Sequence, residues 1–130
     1  MGKKYLIDTN IISHIFTNKI NEKGKDFLKS VLIKDFYTSI IVRIELLTYF
    51  DDSKDVTKYV VKLLSKSITI GLEDSIAEQA ILLRQKYKKL KLGDAIIAAT
   101  CIKYSLTLIS NNIKDFENIK SLKVMDPNNL

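Results

Sequence analysis

The segment YLIDTN, residues 5–10, decides the fold class. Its apolar centre predicts a strand over residues 3–8 that is buried in a parallel sheet, because such strands are apolar on both faces. NIISHIF, residues 10–16, follows at once with the apolar spacing of a helix. Asp8 therefore lies where a buried strand ends. An aspartate there can simply cap the helix, and it informs on function only if other carboxylates approach it.

The alternation of strands and helices continues along the chain. Further strands are predicted at residues 35–39, 67–71, 106–110 and 122–127. Helices are predicted at 21–34, 40–50, 52–66 (capped by Asp52-Ser53), 72–91 and 93–105, with a helical turn at 112–119. This order is typical of βαβ units and a parallel sheet covered by helices on both faces. We expect one α/β domain spanning residues 1–130.

Composition limits the functional classes. Hydrophobic residues make up 46% of the 130, enough for a core, and the net charge of +6 modestly favours polyanionic partners. The longest uncharged apolar stretch, residues 95–102, is too short to cross a membrane. The start of the chain reaches Asp8 before a signal-peptide core forms. We therefore predict a cytoplasmic protein without a membrane partner.

Histidine and cysteine chemistry is largely excluded. Cys101 and His14 are each the single residue of their type, so neither an intrachain disulfide nor a Cys/His zinc site is possible. Cys101 lies within an apolar helix, where a buried thiol is inert. A Ser-His-Asp triad would need His14, and no Gly-x-Ser-x-Gly motif is present.

Glu45 is a second candidate carboxylate. Its neighbours one helical turn away in IIVRIELLTYF (residues 40–50) are apolar, and Arg43 is two positions away, where helical side chains do not face each other. We therefore expect Glu45 to be largely buried. A buried carboxylate needs a metal, a proton or a long-range salt bridge, and the last is the structural alternative.

Asp94 is the third candidate, at the start of the most apolar helix. It can cap that helix, with Gly93 giving a tight entry, or project into the crevice at the carboxyl ends of the strands, where ligands bind in open parallel sheets. Three carboxylates from separate elements suit Mg²⁺ or Mn²⁺, which prefer oxygen ligands. Without a cation they would raise one another's pKa.

Two polar segments lie close to these acids in sequence. LISNNIKDFENI places Ser110 and Asn112 at the end of a strand and Asp115 one turn later, a pattern that turn and capping chemistry also explains. RQKYKKLK, residues 84–91, repeats basic residues at helical spacing. It is either the solvated end of an amphipathic helix or a rim that contacts the phosphates of a polyanionic partner. The candidates for such phosphate contacts are Arg84, Lys88 and Lys91.

The order of these motifs resembles the PIN-domain ribonucleases, and among them the VapC-type toxins of toxin–antitoxin pairs. The matching stretches are LIDTNIIS, SIIVRIELL, KLGDAIIAATCIKYSLTLIS and NNIKDFENI, which together span residues 5–119. The resemblance implies a PIN fold with a parallel sheet of four or five strands between helices. It also implies an Mg²⁺- or Mn²⁺-dependent endoribonuclease.

The resemblance assigns roles to individual residues. Asp8, Glu45 and Asp94 occupy the positions of the family's first three acids, as catalytic and metal-binding residues. Thr9 and Ser39 occupy positions where small hydroxyl residues support the pocket.

A fourth catalytic position, usually Asp or Asn, falls on Asn112, with Ser110 beside it. An amide adds no negative charge, so a second metal ion is in doubt, and Asp115 is the possible substitute for the missing acid.

The resemblance also implies partners. The substrate is RNA, cleaved to leave a 5′-phosphate and a 3′-hydroxyl. A cognate antitoxin inserts into the acidic crevice, and a homodimer forms through the early helices, although an ordinary core explains their apolar residues equally well. The alternative function is a PIN-like module with weak catalysis that binds RNA or protein, which the amide of Asn112 would favour.

Overall fold

The computed structural model describes residues 2–130. The strands are β1 (Tyr5–Ile7), β2 (Tyr37–Ser39), β3 (Ile68–Ile70), β4 (Thr107–Ile109) and β5 (Val124–Met125). The helices are α1 (Thr9–Phe16), α2 (Glu22–Leu32), α3 (Ile40–Tyr49), α4 (Thr57–Lys66), α5 (Asp74–Lys86), α6 (Leu92–Tyr104) and α7 (Ile113–Phe116). A 3₁₀ turn, Pro127–Asn129, follows β5.

The five strands form one parallel sheet in the order β3-β2-β1-β4-β5, which confirms the predicted parallel α/β fold. From β1 the chain builds outward to β2 and β3 on one side, then to β4 and β5 on the other. The topology therefore switches direction between β1 and β4, and the crevice at such a switch point is where parallel sheets bind ligands. Asp8 follows β1, and Ser110 follows β4.

Helix α6 forms the centre of the core on one face of the sheet. Residues 95–101 are all buried, which explains why this segment is apolar on nearly every side. Helix α5 packs along α6 and covers it. At 13 residues α6 is too short for a bilayer, and no other helix in residues 2–130 is long and apolar enough to cross one.

Helix α4 begins later than predicted. It starts at Thr57 rather than at residue 52, and Val56 at its N-cap makes no side-chain hydrogen bond to it. The backbone N–H of Ser53 instead donates to the Asp51 carboxylate at 2.9 Å. This turn competes with helix formation, as aspartate side chains often do. The predicted Asp52-Ser53 cap is wrong.

Helix α5 ends earlier than predicted, at Lys86 instead of residue 91. Tyr87, with φ −111° and ψ 89°, has left the helical region, and Leu90 N–H donates to the Tyr87 carbonyl at 3.0 Å to close a turn. Lys91 is already the N-cap of α6. The prediction that one helix carries all of these basic residues is therefore wrong, because a turn separates Arg84 from the later lysines.

Gly24 lies where α2 packs against the 3₁₀ turn, and its substitution reverses the usual helix preference. A Cβ there would lie 2.7 Å from both the Pro127 carbonyl oxygen and Ile20 Cγ2. Alanine normally stabilises a helix by about 1 kcal/mol relative to glycine. At this position the added Cβ would instead force the backbone at Pro127 to shift. We expect Gly24→Ala to lower the free energy of unfolding in urea, whereas Gly71→Ala, with nothing within 4 Å, is neutral or stabilising. A stabilised Gly24→Ala would contradict this packing.

Candidate active site

Asp8 both caps α1 and joins the two strands at the switch point. Its Oδ1 accepts the Thr9 backbone N–H at 2.8 Å, and its Oδ2 accepts the Ser110 hydroxyl at 2.7 Å. Ser110 Oγ in turn accepts the Asn112 backbone N–H at 3.0 Å. Burial raises the pKa of Asp8, while the hydrogen bonds from Ser110 and Thr9 oppose that rise. The capping role and the crevice role are therefore compatible.

Glu45 is exposed, so the expectation of burial is wrong. The outer face of α3 is open to solvent, as shown by Ile44 and Tyr49, each 56% exposed. The Thr9 hydroxyl donates to Glu45 Oε1 at 2.6 Å, and a Cβ on Gly93 would lie 3.9 Å from Glu45 Oε2. Neither ion pair within residues 2–130 involves this glutamate. The carboxylate thus lies between the starts of α1 and α6.

Asp94 is the third residue of α6 rather than its cap. Lys91 occupies the N-cap without a side-chain hydrogen bond, so the capping alternative for Asp94 is wrong. Burial raises the pKa of Asp94 to about 6; the charges of Asp8, Asp115 and Glu45 add to the rise, and Lys91 opposes it. Carboxylates from four elements therefore concentrate negative charge at the switch point.

Two further candidate residues, Asn112 and Asp115, lie in the segment after β4. Asp115 is exposed on α7 and raises the pKa of both Asp8 and Asp94. Asn112 is half-buried at the start of α7 and forms no side-chain cap there. Asp115 thus adds negative charge near Asp8 and Asp94, whereas the amide of Asn112 adds none.

Ser39 supports the site indirectly. It is buried, and its Oγ accepts the Ile41 backbone N–H at 3.1 Å, which caps α3. Ser39 thereby fixes the start of the helix that carries Glu45. Thr9, by contrast, contacts the Glu45 carboxylate directly.

A polar network beside the acids was missed from the sequence. His14 Nδ1 donates to Asn111 Oδ1 at 2.7 Å, in the tautomer with hydrogen on that nitrogen, and Asn111 Nδ2 donates to Asp126 Oδ1 at 2.7 Å. The network ties α1 to the segment after β5 and holds the chain next to Asn112. His14 and Asn111 are 97 positions apart in the sequence, so no local sequence pattern predicts their contact.

The donor set suits a hard, partly hydrated cation. Among residues 2–130, no group of three Asp, Glu, His or Cys side chains is arranged to hold a metal ion by itself. Mg²⁺ commonly binds one or two carboxylates directly and keeps several waters, so a complete ligand cage is not required. Asp8 and Asp94 offer carboxylate oxygens among like charges that a cation would neutralise, and the residues present therefore fit Mg²⁺ or Mn²⁺.

A basic cleft adjoins the acids. Its volume is about 340 Å³, and Asp94 and Asp115 form part of its wall. The lysines that line it are Lys88, Lys89, Lys91 and Lys114. Arg84 lies outside this basic cleft, because its Nε donates to the Leu90 carbonyl at 3.2 Å and it lines a groove between α5 and α6. The turn after α5, rather than a helix face, brings lysines to the site.

The family model for the PIN domain matches residues 5–122. The chain belongs to the PIN-domain family. This match confirms the family resemblance that was based on the four motifs. Of the four or five strands that the resemblance implied, the sheet has five.

Relatives of this PIN domain include named ribonucleases. It is 30% identical to Ribonuclease VapC1 of Rickettsia felis and 29% identical to Ribonuclease VapC of Rickettsia bellii, in each case over 92% of this chain and 93% of the relative. Among solved structures, a toxin–antitoxin complex from Klebsiella pneumoniae contains a chain with a TM-score of 0.78 and 31% identity. That match covers 95% of this PIN domain and 98% of the other chain.

Proposed function

We propose that this PIN domain is a VapC-type toxin, a metal-dependent endoribonuclease that hydrolyses RNA phosphodiester bonds. The observation that carries the proposal is the arrangement of carboxylates at the switch point of the sheet. Thr9, next to Asp8, donates to Glu45, and Glu45 lies beside Gly93 at the start of the helix that carries Asp94. Asp94 and Asp115 share the wall of a cleft that is lined by lysines. The names of the VapC relatives, and the share of both chains that the matches cover, support it. The products are expected to carry a 5′-phosphate and a 3′-hydroxyl.

Each residue has a proposed role. Asp8 and Asp94 would hold the cation, and Glu45 would bind it or orient the attacking water. When bound, Mg²⁺ or Mn²⁺ would stabilise charge on the phosphate and lower the pKa of a water molecule. Ser110 fixes one oxygen of Asp8 through its 2.7 Å hydrogen bond, and Thr9 fixes Glu45 through its 2.6 Å bond. Both act as positioning residues.

Metal dependence is the direct test of this proposal. We expect purified protein to cut cellular RNA into discrete fragments with Mn²⁺ or Mg²⁺ and to leave it intact with chelator. Either metal should also raise the melting temperature of the wild type, because a ligand that binds the folded state stabilises it. Asp8→Asn should show neither effect. Metal-independent cleavage, or well-folded protein that binds RNA without cutting it, would contradict the proposal, and the second result would favour the binding-module alternative.

The lysines of the basic cleft should govern the salt dependence of RNA binding. We expect Lys88→Gln/Lys91→Gln to weaken binding and to lower the slope of log affinity against log salt by about 1.4, since each contact with a single-stranded phosphate contributes about 0.7. Filter binding in chelator measures this without cleavage. The exposed pair Lys58→Gln/Lys62→Gln on α4 is the charge-matched control. An unchanged slope would show that these lysines are solvated surface residues that do not contact RNA phosphates.

We also propose an antitoxin partner, which would place a basic side chain against the acids of the crevice. The similar chain from Klebsiella pneumoniae belongs to a toxin–antitoxin complex, which supports this proposal. For the proposed homodimer, Ile44 and Tyr49 are the available apolar residues on α3. On α1, Ile11 and Ile12 are fully buried, so the ordinary-core explanation accounts for them.

A further inference from the structure

A second basic cleft lies at the amino ends of the strands, opposite the acids. Lys4 precedes β1 and Lys123 precedes β5, and the two strands flank β4. Thr107 N–H donates to the Lys4 carbonyl and Leu108 N–H to the Lys123 carbonyl, each at 2.9 Å. Because neighbouring strands are about 4.8 Å apart, the backbones of Lys4 and Lys123 are held roughly 10 Å apart across β4.

This second basic cleft presents hydrogen-bond donors without a carboxylate. Its volume is about 230 Å³, and no Asp or Glu lines it, in contrast to the first basic cleft. The polar residues that line it are Lys3, Lys4, Lys123, Ser105, Thr107 and Ser121. Neither of the two ion pairs within residues 2–130 includes any of these lysines. The lysine charges at this end of the sheet therefore have no acidic partner in the cleft.

The floor of this cleft is fixed by the fold. Thr107 is 9% exposed and Cys101 is 1% exposed, so both belong to the packed sheet and α6 rather than to a mobile surface. Ser105 ends α6 in the left-handed conformation, with φ 55°, and Leu106 N–H donates to the Cys101 carbonyl at 2.9 Å. Lysines from two strand entries thus surround a rigid, hydroxyl-bearing floor. Ammonium and hydroxyl donors around such a floor match the oxygens of a phosphate.

We propose that the second basic cleft binds a backbone phosphate of the RNA substrate, remote from the bond that is cut. The identity of the ligand as RNA rests on the proposed ribonuclease function. The two basic clefts lie at opposite ends of the strands, so only an RNA that is long or folded enough to pass around the domain can occupy both. The cleft then favours structured RNA over short oligonucleotides.

Charge-matched triple variants test the proposal. We expect Lys3→Gln/Lys4→Gln/Lys123→Gln to weaken binding of a structured RNA about tenfold and to lower its salt slope by about 0.8, since one phosphate contact contributes about 0.7 to 0.9. The control, Lys58→Gln/Lys62→Gln/Lys66→Gln, removes the same charge from the exposed face of α4 and should change affinity less than twofold. Filter binding in chelator measures both. Cleavage of a six-nucleotide RNA with Mn²⁺ should be equal in wild type and both variants.

Equal losses in the two triple variants would overturn the proposal, because net charge alone would then explain them. An NMR titration with inorganic pyrophosphate separates a small-phosphate site from an RNA site. Shifts at Ser105 and Thr107 without a selective loss of RNA affinity in the Lys3/Lys4/Lys123 variant would also overturn it. If wild type fails to cleave RNA but that variant still loses affinity selectively, the nuclease proposal fails while the phosphate site stands.

Discussion

Asp94→Asn is expected to reduce metal-dependent RNA cleavage by about 100-fold or more without destabilising the metal-free protein. Loss of one electrostatic group that stabilises a transition state typically costs about 10²–10³ in rate. The stability expectation follows from the raised pKa of about 6, caused by burial and by the neighbouring carboxylates. The folded protein then holds the proton more tightly than the unfolded chain, so this group's contribution to stability is complete below about pH 4 and is lost as the pH rises through about 6. Asparagine cannot ionise, so Asp94→Asn does not lose this stability when the pH rises above about 6.

The measurements are single-turnover cleavage with Mn²⁺ and urea unfolding in chelator at pH 5 and pH 7.5. At pH 7.5 the free energy of unfolding of Asp94→Asn should equal or exceed that of the wild type. Asp55→Asn, an exposed aspartate in the turn before α4, is the control and should change neither quantity. Wild-type cleavage by Asp94→Asn would show that the proposed metal centre is wrong, whatever its stability.

The sequence predicts the sheet and the placement of Asp8 well because both follow from continuous apolar runs. β1 and α6 are buried on nearly all sides, so their composition alone indicates their position. Glu45 was placed wrongly because its apolar helical neighbours do not reveal whether another element covers them. In the structure α3 leaves Ile44 and Tyr49 exposed, and the glutamate lies at the open edge of the crevice.

The basic cleft and the network behind the acids show what local patterns cannot supply. Lys88 and Lys91 reach the cleft because Tyr87 breaks the helix, a conformation that their spacing does not indicate. Lys114 joins them from α7, 23 positions beyond Lys91. Such contacts depend on how distant loops meet once the sheet has formed, so they follow from topology rather than from sequence neighbourhood.

Among the variants described, Phe116→Ala is expected to lower the free energy of unfolding most. It should also reduce RNA cleavage, although Phe116 is not one of the acidic residues of the site. Phe116 is fully buried, and α7 packs against α6 and β5. Replacement of a buried phenylalanine by alanine costs about 3–5 kcal/mol. A helix of four residues has almost no stability of its own, so α7 depends on this side chain for its position. When α7 shifts, Asp115 and Asn112 shift with it.

Urea unfolding and Mn²⁺-dependent cleavage, both well below the melting temperature of the variant, separate these two effects. Phe116→Leu is the matched control, because it keeps most of the apolar volume and should lose less than about 1.5 kcal/mol. If cleavage falls in Phe116→Ala while the protein is still folded, and recovers in Phe116→Leu, the position of α7 contributes to catalysis beyond its contribution to stability. Full activity in folded Phe116→Ala would instead mean that Asp115 and Asn112 are dispensable and that Asp8, Glu45 and Asp94 suffice. A cost below about 1 kcal/mol would contradict the packing of α7 itself.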